Sequence, residues 1–361
     1  MKRTSTLFFA LVCAFLHVHA QDTSSSSVDV DIVPSVDAEV DANAKLGITF
    51  HSLPIPPWFP KYYLSTNIVG PGFYGQFNWE NITDPTHGRV NYVTKETSIR
   101  HNLTYATHDT FILRTDHKTV LDPLGPGRES VRIITKKSFT QHLVIIDLRH
   151  MPQGCGTWPA IWETKAVDWP TYGELDIMEG VNDMGTNAGT LHTTEGCTMP
   201  ELGRNMTGAA TQLDCYWRVN WNAGCGVKFP QATSYGPTFN QNGGGWFVME
   251  RTKTDIKLWF WSRKDPNVPR DVKYKSFDVD PRKWGTPAAH FPNTQCDLEK
   301  YFGDNNLIIN LTLCGDWAGN VYDPTRCPST CVDHVNNNPE AFKDAYFDFA
   351  GIRVYEPILK N

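Results

Sequence analysis

Short apolar runs alternate along most of the chain with clusters of glycine, proline and asparagine. Residues 130–137 (SVRIITKK), 142–150 (HLVIIDLRH), 256–263 (IKLWFWSR), 306–313 (NLIINLTL) and 347–356 (FDFAGIRVYE) are rich in valine, isoleucine and aromatics. Runs of this length and composition, bounded by turn residues, predict strands. No helical repeat of useful length interrupts them. The pattern predicts an all-β sandwich or jelly roll. It extends from about Gly47 onward, about 310 residues, a length that suits one large domain.

One run breaks the rule. GELDIMEG, residues 173–180, places Glu174, Asp176 and Glu179 on a short apolar segment between two glycines. On a helix, Glu174 and Glu179 would lie about 140° apart around the axis. On a regular strand, Glu174 and Asp176 share a face and Glu179 points the other way. One extra residue at Ile177 or Met178, a β-bulge, reverses that parity and turns all three acids to one side. Two glutamates leaning together to about 5 Å across a concave sheet could act as nucleophile and acid/base of a retaining glycosidase. Asp176 would then hold the nucleophile, and the crowded charges would raise the pKa of at least one member. A solvated acidic face or a calcium site is the plainer alternative.

The neighbouring residues favour the first reading. Trp158, Trp162 and Trp169 run directly into the acidic segment, and indole faces stack on the apolar faces of sugars. Trp158, preceding Pro159, is expected in the core. His192, on the next expected strand, is placed near Glu179. Trp317 sits in a turn-rich loop, CGDWAG. GGGW at 243–246 lacks the residues of a phosphate cradle.

Composition adds the setting. Lys2 and Arg3, an apolar run over 7–16 and a small-residue ending at Ala20 read as a secretory signal peptide over 1–20, too short to span a membrane. No later apolar stretch reaches the roughly 20 residues a span needs. Residues 21–46, rich in Ser and Asp, read as a disordered linker or pro-segment. The whole chain has 33 basic and 39 acidic residues. Without Lys2 and Arg3 the formal charge is −8, from 31 basic against 39 acidic, which gives no reason to expect nucleic acid or an anionic membrane as partner. Beyond Cys13 stand eight cysteines, an even count that favours disulfides in a secreted chain and leaves their pairing open. Cys327, Cys331 and His334 carry part of a zinc pattern, without a fourth ligand nearby. Sequons at Asn81, Asn102, Asn205 and Asn310 point to a glycosylated extracellular protein.

The chain resembles glycoside hydrolase family 16, the fungal laminarinase-like enzymes in particular. The resemblance is carried by residues 84–93, 130–133, 147–163 (DLRHMPQGCGTWPAIWE), 173–183 (GELDIMEGVND), 190–194 (TLHTT), 314–319 and 331–356. It implies a concanavalin A-like β-jelly-roll catalytic domain over 47–361, with a concave cleft. It implies endo-cleavage, with retention, of β-1,3- or mixed β-1,3/1,4-glucans. A monomer with no cofactor and no metal in the site is expected, and a structural calcium stays open. By position, Glu174 is similar to the nucleophile and Glu179 to the acid/base, with Asp176 between them. Trp162, Trp169, Trp317, His192, Arg132 and Asn91 match positions that contact sugar. Residues 21–46 and about 283–304 are left unmatched by this resemblance, and the second, just before the strand leading to Trp317, could alter one end of the cleft. A glucan transglycosylase would use the same two glutamates. A non-catalytic glucan-binding protein would be expected to lack one, and both are present.

Overall fold

A computed structural model of the chain describes residues 38–40, 46–48 and 62–357. The expected signal peptide, and most of the expected linker over 21–46, lie outside the described residues. Within the first unit, Ala38–Val40 pairs antiparallel with Leu46–Ile48.

The second unit contains two large antiparallel sheets. One runs Ala209–Ala210, Cys225–Lys228, Ala188–His192, Glu174–Glu179, Thr157–Thr164, Asn306–Leu313, Arg132–Thr135, Phe77–Trp79. The other follows Asp278–Val279, Tyr62–Ile68, Tyr346–Pro357, His142–His150, Gly245–Arg251, Asp255–Ser262 and Ala289–Pro292, with Phe111–Arg114 and Thr104–Ala106 joined to one side. Neighbours in each sheet are often distant in sequence, the crossover pattern of a β-jelly roll. Among the described residues, no helix is long and apolar enough to cross a membrane.

The two sheets share one core. Ile146, Leu148, Phe247 and Met249 from one meet Ile161, Leu175, Leu191 and Ile309 from the other. His142–His150 is apolar at consecutive positions because both its faces are covered. Val144 and Ile146 face the shared core, while Leu143 and Ile145 join a second cluster with Trp246, Trp259, Trp261 and Trp284. A strand buried on both sides loses the polar alternation of one that faces water. Thr157–Thr164 and Glu174–Glu179 keep a polar face, and that face carries the site.

The predicted run over 130–137 is divided in the structure. Arg132–Thr135 lies in the main sheet, whereas Arg128–Ser130 pairs in parallel with Val90–Tyr92 as a separate ribbon.

The eight cysteines form four disulfides: Cys155–Cys327, Cys197–Cys296, Cys215–Cys225 and Cys314–Cys331. This consumes both thiols of the partial zinc pattern, and His334 packs against Tyr322 and Phe342 instead. Residues 302 and 303 lie against Tyr172 and Gly173, the residues that lead into the acidic strand. Gly303 N–H donates to Tyr172 C=O, and Phe302 packs so close to Gly173 that a Cβ there would lie 2.5 Å from the ring. Gly173 also has φ +70°, so glycine is required twice over.

Candidate active site

The strand Glu174–Glu179 carries the bulge that its spacing demands. Against the strand Thr157–Thr164, Met178 lies opposite Ile161 and Asp176 opposite Trp162, so Ile177 is the extra residue. Leu175, Ile177 and Met178 all enter the core. Glu174, Asp176 and Glu179 therefore share the outer face. Gly180, at the far end, passes so close to the Tyr235 ring that a Cβ would meet it at 2.5 Å.

Each glutamate is held by a tryptophan. Trp169 donates its indole N–H to Glu174 Oε2. Trp158 donates to Glu179 Oε1 at 2.7 Å. Trp158 is thus a correction to the expected core position. It lies four residues from Trp162 on one strand, hence on the same outer face, and both are half-buried.

Between the glutamates lies Asp176, 1 % exposed. Its Oδ2 is 3.4 Å from His192 Nε2, and His192 Nδ1 lies 2.9 Å from Asn222 Oδ1. Strand register puts His192 directly opposite Glu174. Burial opposes a charge on this imidazole. The close approach of Asp176 and the charges of Glu174, Asp176 and Glu179 outweigh it, and the pKa is pushed up to about 9. Burial, and then Asp176, push Glu174 up to about 7 and Glu179 well above the ordinary glutamate value. Donor atoms of Glu174, Asp176 and His192 lie within 4.8 Å of one another. Both imidazole nitrogens face oxygens, Nε2 toward Asp176 and Nδ1 toward Asn222, an arrangement that suits the doubly protonated ring.

The remaining expected residues divide. Trp162 donates its indole N–H to Asn310 Oδ1 at 2.7 Å. The guanidinium of Arg132 lies 5.0 Å from the Trp162 ring centre and pairs with Glu80 at 2.6 Å. Trp317 stands edge-on to Trp158 with centroids 5.7 Å apart. Trp169 meets Trp217, at 5.3 Å, which the sequence reading missed. Among the described residues, no hydrogen bond ties the Asn91 side chain to these. It is exposed opposite Glu129 on the parallel ribbon, and strand alternation turns it away from Tyr92, whose hydroxyl meets Asn310 Nδ2 at 3.3 Å.

The four sequon asparagines differ in setting, and Asn310 stands apart. It is buried, and its amide bridges Trp162 and Tyr92. Asn81, Asn102 and Asn205 are exposed.

Residues 77–355 match the family model for the XgeA-like, catalytic GH16 domain. A Schizosaccharomyces pombe protein named "Probable glycosidase" is 43% identical over 298 residues, covering 82% of this chain and 69% of that protein. The chain spans less of other curated relatives, 46% of the Neosartorya fischeri protein named "Probable endo-1,3(4)-beta-glucanase". A solved structure of GH16 laminarinase 16A from Phanerochaete chrysosporium is 55% identical with a TM-score of 0.81, covering 82% of this chain and all (100%) of that one. It holds 6-O-glucosyl-laminaritriose in donor and acceptor sites. An elongating family 16 β-1,3-glucosyltransferase is 36% identical, with a TM-score of 0.76 and coverage of 82% and 100%. With a jelly roll, a bulged acidic strand and these relatives together, the chain belongs to glycoside hydrolase family 16.

Proposed function

We propose that this chain is a retaining endo-β-glucanase acting on β-1,3- or mixed β-1,3/1,4-glucans, secreted from the cell that makes it. The observation that carries the reading is the bulge at Ile177, which turns Glu174, Asp176 and Glu179 to one face. In the first step the Glu179 carboxyl gives its proton to the glycosidic oxygen as the C1–O bond breaks. The Glu174 carboxylate attacks C1 and forms a glycosyl ester. The Glu179 carboxylate then takes a proton from water, whose oxygen attacks C1 and releases Glu174. Two inversions give net retention.

The surrounding residues fit these roles. The Trp169 indole stabilises the ionised form of Glu174 and keeps one oxygen occupied, leaving the other to attack. Asp176 sustains the proton on Glu179 through its charge, and protonated His192 balances Asp176. Trp162, backed by Asn310, and Trp317 offer ring faces for glucose.

Relatedness to an elongating glucosyltransferase supports a second reading, in which a sugar hydroxyl replaces water in the second step. One experiment tests both. Products from laminarin, lichenan and cellulose are resolved by mass spectrometry, and the released anomer is read by NMR. Shorter β-anomers from laminarin or lichenan support hydrolysis, and products longer than the donor support transfer. An α-anomer, or no cleavage of any substrate, overturns the proposal.

A further inference from the structure

The bulge at Ile177 creates a problem that a side chain solves. Pairing with the strand Ala188–His192 ends where Asp176 faces Thr190. Beyond that point, Ile177 C=O and Glu179 N–H have no ladder partner on this side. Both are met by Asn187. Its Oδ1 accepts from Glu179 N–H at 3.0 Å, and its Nδ2 donates to Ile177 C=O at 2.9 Å.

Asn187 is fully buried and fixed from behind. Its own N–H donates to Ser234 Oγ at 3.0 Å, and its C=O accepts from Phe229 N–H at 2.9 Å. A primary amide offers one acceptor and two donors in one plane, so it can stand in for the peptide group of a missing strand residue. Aspartate would lose the donor and set a carboxylate against Ile177 C=O. Leucine would satisfy neither group.

We infer that Asn187 is a positioning residue for the acid/base. It locks the bulge, and through Glu179 N–H it fixes the direction in which the Glu179 side chain leaves the strand. Trp158 holds that side chain at its carboxyl end; Asn187 holds it at its root. The inference rests on the reading of Glu179 as acid/base, and the experiment separates the two.

Laminarin needs a proton on its leaving oxygen, whereas a 2,4-dinitrophenyl β-laminaribioside does not. For each, kcat/KM reports the first step, and KM is followed separately. Glu179→Ala is the reference and must lose far more activity on laminarin than on the activated glycoside. If it loses both equally, the acid/base reading fails. Asn187→Asp is expected to lower kcat/KM on laminarin by roughly 100-fold, the scale of a misplaced catalytic group. On the activated glycoside it should lose less than about fivefold, with KM for laminarin within about twofold, since acid assistance is what has been displaced. Given the split in Glu179→Ala, an Asn187→Asp protein with a native circular dichroism spectrum that loses both activities equally, or neither, overturns the inference. Should Asn187→Asp not fold, Ser234→Ala decides instead. It loosens Asn187 without touching the catalytic strand and must show the same split in weaker form; equal loss, or none, overturns the inference.

Discussion

The Trp158 indole nitrogen lies 2.7 Å from Glu179 Oε1, reached from the adjacent strand of the same sheet. This donor favours the ionised carboxylate, so it opposes the burial and the Asp176 charge that raise the pKa of Glu179. Trp158→Phe removes the donor. Glu179 then becomes a weaker acid, and the alkaline limb of kcat/KM on laminarin moves to higher pH. Loss of one charge-assisted bond, about 1.5–3 kcal/mol, corresponds to roughly 10- to 100-fold in rate if it is all felt at the transition state. An unmoved alkaline limb would remove Trp158 from the acid/base machinery.

Asp176 and Trp169 should shift the profile in opposite senses. Cleavage requires Glu174 ionised and Glu179 protonated, which makes the profile of kcat/KM bell-shaped. Its acid limb follows Glu174, at about pH 7, and activity is lost as pH falls through that value. The Asp176 charge raises both glutamates, so Asp176→Asn moves both limbs to lower pH. The Trp169 hydrogen bond lowers Glu174, so Trp169→Phe moves the acid limb to higher pH. Limbs that move in the same direction in both variants would contradict this assignment.

How much of this was legible in the sequence depends on the distance over which each signal acts. The strand period is local, so the odd spacing of Glu174 and Glu179 implied the bulge before any coordinates. The same parity could have placed Trp158, four residues before Trp162, on the outer face; giving weight to Pro159 obscured it. Asn310 was legible too, as a polar residue at the outward phase of NLIINLTL. Disulfide pairing was not, because it depends on which loops the crossovers bring together. Nor was Asn187, since its role exists only once the bulge has left two backbone groups unpaired. Nor was the setting of Asn91, whose ribbon pairs with Arg128–Ser130 outside the main sheets.

Glycan occupancy offers an independent check on the fold. A glycan on Asn310 would have to be attached at Nδ2, which meets Tyr92 beneath the site. Peptide mapping after enzymatic deglycosylation in heavy-oxygen water should show label at one or more of Asn81, Asn102 and Asn205. It should show none at Asn310. Label at Asn310 in active enzyme would contradict the buried placement of its amide against Tyr92.

Trp162 tests the sugar platform. Asn310 holds its indole N–H, and Arg132, tied to Glu80, lies over the ring. These contacts fix the ring before substrate arrives, so little conformational entropy is lost on stacking. Trp162→Ala should therefore weaken binding of laminari-oligosaccharides by roughly tenfold, on the scale of about 1–1.5 kcal/mol for an aromatic contact. It also leaves Asn310 Oδ1 without its donor, at a stability cost of about 1–3 kcal/mol. Trp162→Phe separates the two effects. It keeps a ring but loses the donor, so stability should fall as in the alanine variant while much of the affinity remains. Calorimetric titration in the inactive Glu174→Gln background measures the affinity, and thermal unfolding measures the stability. Unchanged affinity in Trp162→Ala would assign this tryptophan a purely structural role.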